Sequence, residues 1–160
     1  MSIYFEQTSI GMIGISEKDG AISNLYFQNE LPKEKSTAPT SVIRTAFAEL
    51  AAYLSGELQD FSVPLNPEGS QFFRQVWDVI CKVTYGETKT YKEVAITIGH
   101  PKACRAIGLA AHSVPIPIFI PCHRIIGSNG NLTGYRGGVP IKSTLLRIEK
   151  ENRNAREILK

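Results

Sequence analysis

Apolar residues near the start of the chain fall in short β-rich runs: Ile3-Tyr4-Phe5, Met12-Ile13-Gly14-Ile15 and Ala21-Ile22-Ser23-Asn24-Leu25-Tyr26-Phe27. Runs of this length and composition predict strands, and Asp19-Gly20 between the second and third predicts a tight hairpin. The polar, proline-bearing stretch from Leu31-Pro32 to Pro39 predicts a loop. The period then changes. Val42, Ile43, Ala46, Phe47, Leu50, Tyr53 and Leu54 recur at helical spacing, with Ser41 as the expected N-cap and Gly56 as the stop signal. A second Pro/Gly-bearing stretch, Val63-Pro64 to Gly69, marks the expected boundary between a domain at 1–66 and another at 67–160.

The second half has a different rhythm. Ser70 is the expected cap of a helix bearing Phe72, Phe73, Val76, Trp77, Val79, Ile80 and Val83. Thr90 caps a short helix from Tyr91 to Ile98, Gly99-His100-Pro101 is a turn, and a further helix runs from Lys102 to Ser113. Two short helices around a glycine-bearing turn predict a helix-turn-helix. The prolines of Val114-Pro115-Ile116-Pro117-Ile118-Phe119-Ile120-Pro121 exclude a helix and predict an extended segment. Gly127 to Gly138 is a glycine-rich loop, and Pro140 opens a last helix through Leu145, Leu146 and Ile148. The fold class is therefore α+β: a small antiparallel sheet with one helix, followed by a largely helical domain.

Composition narrows this picture only moderately. A chain of 160 residues with 42% hydrophobic residues can bury a core of useful size. The net charge of +3 permits nucleic-acid binding without demanding it. No apolar run reaches the roughly 18 residues a membrane helix needs, and Glu6 and Gln7 interrupt what would be a signal peptide. Cys81, Cys104 and Cys122 are odd in number and lack Cys-x-x-Cys spacing, which argues against a disulfide framework or a zinc site. A reducing cytoplasm fits best.

The chemistry-bearing run is Pro121-Cys122-His123-Arg124. Thiolate is the nucleophilic form of cysteine, and a neighbouring imidazole and cation favour it. A cysteine behind an apolar segment also reads as a small buried hydrophobe. The flanking His123 and Arg124 make apolar burial costly, and local chemistry leaves the two readings level.

The wider pattern carries more. Ile120-Pro121-Cys122-His123-Arg124-Ile125-Ile126 resembles the active-site motif of the methylated-DNA–protein-cysteine methyltransferases, the O6-alkylguanine-DNA alkyltransferases. Gln71-Phe72 with Val76-Trp77, Tyr85-Gly86-Glu87-Thr88-Lys89-Thr90-Tyr91, Pro101-Lys102-Ala103-Cys104-Arg105-Ala106-Ile107-Gly108, Gly134-Tyr135-Arg136-Gly137-Gly138 and the run from Lys142 to Glu149 resemble further motifs of that family, in the same order. The resemblance is close over residues 70–150 and coarse before them.

It implies that Cys122 accepts the alkyl group, that His123 acts through a water as the base, and that Glu149 orients His123. Read alone, Glu149 is a solvated helix charge. Tyr91 would donate to guanine N3, and Tyr135, Arg136, Val114 and Pro117 would wall the pocket. Arg105 would fill the gap left by a flipped base. Ala106 and Gly108 would let the helix approach the DNA, and Thr90, Arg124 and Ser128 would be further DNA contacts. The implied partner of this monomer is double-stranded DNA, bound through the minor groove, which carries little sequence information. The implied lesion is O6-alkylguanine, with O4-alkylthymine a second candidate, and neither cofactor nor metal is required. The chain departs from the family at Val114-Pro115, where many members carry Asn-Pro, and at Cys104, where alanine or serine is usual. Three other classes compete with this reading. A lesion-binding relative without chemistry would replace the acceptor cysteine. A thiol hydrolase would draw its histidine from a distant part of the chain. A transcriptional regulator would carry more side chains able to read base edges.

Overall fold

The structure, a computed structural model, describes residues 2–34, 36–132 and 134–159, with side chains up to Arg153. Lys35 and Thr133, which fall in the two expected loops, lie outside the described residues. The chain forms two compact units, Met1–Glu68 and Gly69–Lys160.

In the first unit, β1 (Ser2–Thr8), β2 (Gly11–Lys18) and β3 (Ala21–Tyr26) form an antiparallel sheet in that order. Asp19 and Gly20 both have positive φ, 53° and 84°, as a two-residue turn matched to strand twist requires. Helix α1 (Ser41–Leu54) packs on this sheet, burying Ile43, Ala46, Phe47, Leu50 and Tyr53 with Ile13, Ile15, Ile22 and Leu25. Its N-cap is Thr40, one residue before the expected Ser41: the Thr40 hydroxyl accepts from the Ile43 N–H at 3.2 Å. Ser41 instead begins the helix itself.

The second unit contains α2 (Gln71–Cys81), β4 (Lys89–Thr90), α3 (Tyr91–Thr97), α4 (Cys104–His112), β5 (Ile125–Ile126) and α5 (Val139–Leu159). Ser70 caps α2 through the Phe73 N–H. Thr90 and Glu93 cap α3 reciprocally, each side chain taking the other's backbone N–H. Helix α4 begins at Cys104, two residues later than expected, because the Ala103 N–H still closes the turn onto the His100 carbonyl. Trp77, on α2, donates its indole N–H to the Ala110 carbonyl of α4 at 2.9 Å, which fixes one helix against the other. The parallel pairing of β4 with β5 was not expected. Strands of two residues carry no periodicity to read.

Candidate active site

The segment entering the site is not the extended run that its prolines suggested. Ile120 N–H reaches back to the Ile116 carbonyl at 2.9 Å, and Ile118 has φ of 74°. Prolines at 115, 117 and 121 restrict themselves and the residues before them. Only Ile118 and Phe119 escape both restrictions, and the chain turns there. A β-branched residue at that φ is strained, and the strain stands four residues before Cys122.

Cys122, His123 and Arg124 then form one 3-10 turn, tied by the β4–β5 pairing to the start of α3. Three residues per turn send successive side chains about 120° apart. Adjacent residues therefore enter different surroundings, although all three are buried.

Cys122 is 5% exposed. Burial pushes its thiol up to about 12, against smaller opposing effects from Lys142, Arg136 and the N–H groups of Cys122 and Ile118. At rest it is a neutral thiol. Burial also pushes His123 down, despite its bond to Glu149, and the imidazole is neutral. Its Nε2 lies 2.6 Å from Glu149 Oε2. A carboxylate can only accept, so Nε2 carries the proton and Nδ1 is the basic nitrogen.

Glu149 is the hub. It is fully buried, and besides His123 it accepts from Arg124 Nε at 2.8 Å, Arg124 Nη2 at 3.0 Å and the Gly86 N–H at 3.1 Å. Burial opposes its charge, but the bonds from His123 and Arg124 outweigh that and hold the carboxyl at about 2. Arg124 is permanently charged, and its two bonds hold the carboxylate whatever the protonation state of His123. The solvated-charge reading of Glu149 is thus replaced by a fully committed buried carboxylate.

Arg124, expected among the DNA contacts, is instead 6% exposed. Its guanidinium is spent on both Glu149 oxygens and on the Val83 carbonyl, with the Tyr85 ring beneath it. A planar five-donor group suits that inward task, and burial removes it from any phosphate.

Lys142 is the residue that sequence reasoning missed. It is 1% exposed, donates to the Ile125 carbonyl at 2.7 Å, stands over the Tyr135 ring and bears on Cys122 electrostatically. A signal existed: Lys142, Leu145 and Glu149 follow one another at helical spacing on a single face of α5.

The remaining expected residues gather on one side. Tyr91, Arg105, Gly108 and Ser128 line one groove, together with Lys92, Cys104, His112 and Gly134. Arg105 and Ser128 are exposed, and Tyr91 and Ala106 are half-buried. A Cβ added at Gly108 would meet nothing within 4 Å, so the α4 backbone is open to close approach there. Thr90 spends its hydroxyl capping α3. Tyr135, Val114 and Pro117 are buried, and Arg136 donates to the Val114 carbonyl. Tyr91 is raised by burial and by the nearby Cys122 and stays a hydroxyl donor at neutral pH.

Known proteins resemble this chain in sequence and in fold. Residues 71–151 match the family model described as 6-O-methylguanine DNA methyltransferase, DNA binding domain. A methylated-DNA–protein-cysteine methyltransferase of Methanosarcina acetivorans is 49% identical over 149 residues, covering 89% of this chain and 94% of the relative. One from Mycobacterium bovis is 47% identical over 144 residues, covering 88% and 87%. The crystal structure of Mycobacterium tuberculosis OGT in complex with DNA superposes with a TM-score of 0.88 at 37% identity, covering 95% of this chain and 94% of that one. The similarity extends through both units and includes the run that holds the buried Cys122, and on these grounds the chain belongs to the methylated-DNA–protein-cysteine methyltransferase family.

Proposed function

We propose that this protein repairs alkylated DNA by direct reversal, moving the alkyl group from guanine O6 to Cys122 once per molecule. One observation carries the reading: a buried thiol is followed in a 3-10 turn by a neutral histidine whose far nitrogen is locked onto an ionised, buried glutamate. That is the arrangement of nucleophile, base and orienting acid.

In the proposed step the Cys122 thiol gives its proton, through a water, to His123 Nδ1. The sulfur forms a bond to the alkyl carbon. The carbon–O6 bond breaks with its electron pair staying on guanine, which takes back through water the proton that His123 received. The products are a thioether on Cys122 and unmodified guanine. Glu149 offsets the charge that His123 gains. Tyr91, from the groove side, donates to guanine N3 and eases departure of the base. O4-alkylthymine would present the same kind of carbon to the sulfur.

A stacked base cannot reach a buried thiol, so the lesion is read as flipped out of the duplex at a cost of a few kcal/mol. Arg105, exposed on α4 beside the open backbone at Gly108, fills the gap from the minor groove. Ala106 and Ser128 accompany it at the backbone, and the half-buried Thr90 does so through its main chain. Tyr135, Arg136, Val114 and Pro117 shape the pocket. The protein acts as a monomer in the cytoplasm, and no helix among the described residues is long and apolar enough to cross a membrane.

The test is intact mass before and after incubation with excess O6-methylguanine duplex. A gain of one methyl per protein, located on the Cys122 peptide, is expected. Multiple turnover, or a methyl on Cys81 or Cys104, overturns the assignment. Binding with no mass gain would instead mark a lesion-binding protein without chemistry.

A further inference from the structure

The turn between α2 and β4 holds the buried acid from outside the helix that carries it. Val83 gives its carbonyl to Arg124, the Tyr85 ring lies beneath the same guanidinium, and the Gly86 N–H donates to Glu149 Oε1 at 3.1 Å. The last of these bonds comes from a glycine with φ of 80°. Glycine has the widest backbone freedom of any residue, so this donor needs an anchor of its own to stay aimed at the carboxylate.

Arg153 supplies that anchor. It follows Glu149 by four residues, one turn further along α5. Its Nη1 donates to the Gly86 carbonyl at 3.2 Å. Its stem lies on the glycine itself: a Cβ at Gly86 would collide with Arg153 Cδ and would stand 3.0 Å and 3.2 Å from its Cβ and Cγ. Arg153 Nη2 also approaches Glu87 Oε1 at 3.6 Å, but with these side chains 41% and 44% exposed the pair contributes little. Gly86 is therefore held on both sides by one helix, its N–H taken by Glu149 and its carbonyl by Arg153.

The consequence reaches His123. Glu149 Oε1 accepts from Arg124 Nε and the Gly86 N–H, while Oε2 accepts from Arg124 Nη2 and His123 Nε2. A carboxylate is a rigid plane, so when the Gly86 bond on one oxygen slackens the whole group rocks against Arg124 and the other oxygen moves with it. We infer that Arg153 is a positioning residue for alkyl transfer: by clamping Gly86 it keeps the Gly86 N–H on Glu149 and so keeps the carboxylate in line with His123 Nε2. The role rests on the alkyl-transfer reading above. The clamp works through a methylene stem and one donor, both of which a lysine shares, and it acts on the base rather than on DNA.

The test compares full-length parent, Arg153→Ala and Arg153→Lys. It reads the single-turnover rate of methyl transfer at saturating O6-methylguanine duplex and the affinity for that duplex. It also reads, without DNA, the proton resonance of His123 Nε2–H in protein carrying isotope-labelled histidine. A proton in a short bond to a carboxylate resonates far downfield, so its position reports the His123–Glu149 bond directly. Arg153→Ala is expected to slow methyl transfer about fivefold, the equivalent of one net hydrogen bond. Its DNA affinity should match the parent's and its His123 resonance should move upfield. Arg153→Lys should return both rate and resonance toward the parent's. An unmoved resonance overturns the clamp, whether or not the rate falls. So does a lysine variant no better than the alanine one. A loss confined to DNA affinity also overturns it and would make Arg153 a DNA contact. A parent that transfers no methyl refutes the alkyl-transfer reading itself, whereas a parent that transfers methyl no faster than Arg153→Ala refutes the clamp alone.

Discussion

Replacing Glu149 with glutamine tests the centre of the site with the least change of shape. The fully buried carboxylate accepts hydrogen bonds from His123, from two nitrogens of Arg124 and from the Gly86 N–H. A glutamine amide keeps one accepting oxygen and turns the other position into a donor. That donor must face either the Arg124 guanidinium or His123 Nε2–H, and the positive charge of Arg124 loses its buried partner. Holding the carboxyl at about 2 instead of 4.5 corresponds to roughly 3 kcal/mol of folding free energy. Removing one member of a buried pair costs about 3–5 kcal/mol. Glu149→Gln should therefore lose about 3 kcal/mol at pH 7, a fall in melting temperature on the order of 10 °C.

The pH dependence gives a second, independent reading. Glu149 has a depressed folded pKa, so its contribution is complete above about 4.5 and is lost as pH falls towards 2. His123 is kept neutral by burial, so acid below 6.5 protonates the unfolded chain first and destabilises the fold earlier. Chemical denaturation of the parent should show both losses, and Glu149→Gln should lack the lower one. Single-turnover transfer should fall about a hundredfold or more, the usual worth of an oriented base. His123→Ala combined with Glu149→Gln should be little slower than His123→Ala alone. A variant as stable as the parent, with the same acid limb, would refute the hub reading of Glu149.

Arg105→Ala should slow reaction with alkylguanine in a duplex and leave reaction with the free alkylated base nearly unchanged; equal losses would make Arg105 a support of the fold. A small thiol reagent at pH 8 should modify exposed Cys81 and half-buried Cys104 before Cys122, by peptide mass, because Cys122 is buried and its thiol is pushed up to about 12; first reaction at Cys122 would contradict its resting state. Val114 is 1% exposed, so Val114→Asn, which restores the residue usual in the family, should lower the melting temperature by an amount equivalent to about 1–3 kcal/mol. A faster and equally stable variant would mean that the amide finds a backbone partner in that turn.

Elements with a strong period or a chemical punctuation mark were legible in the sequence. Asp19-Gly20 gave the hairpin, Ser70 and Thr90 gave two helix starts, and the spacing of Ile43, Phe47 and Leu50 gave the buried face of α1. Of the misread features, one is a combined local effect and the others depend on contacts distant in sequence. The turn at Ile118 follows from what three prolines leave unrestricted, a combinatorial effect that no single residue signals. The inward path of Arg124 depends on Glu149 and Val83, which lie 25 and 41 positions away. A basic residue beside a nucleophile is equally suited in sequence to phosphate or to carboxylate. Lys142 was hidden for the same reason, since lysine is normally a surface residue.

The buried charges also explain why a thiol this hard to ionise can still serve as a nucleophile. Among the described residues the buried charge-bearing side chains are Arg124, Lys142 and Glu149, with His123 neutral. Arg124 and Glu149 cancel through two hydrogen bonds. Lys142 meets the dipole of the Ile125 carbonyl and the face of the Tyr135 ring, and burial disfavours its ammonium charge while Cys122 favours it. With the Lys142 ammonium charged, the interior carries one positive charge more than negative as long as Cys122 holds its proton. In the proposed step, moving that proton to His123 places an anion near Lys142 and a cation on His123 beside Glu149, so each new charge meets an existing opposite one in a medium where such pairs interact far more strongly than in water. Burial keeps the resting thiol protonated and unreactive. The fixed Lys142 and Glu149 charges are arranged for the ionised state, and their stabilisation is realised only as proton transfer and alkyl attack proceed, which is where binding energy accelerates a reaction.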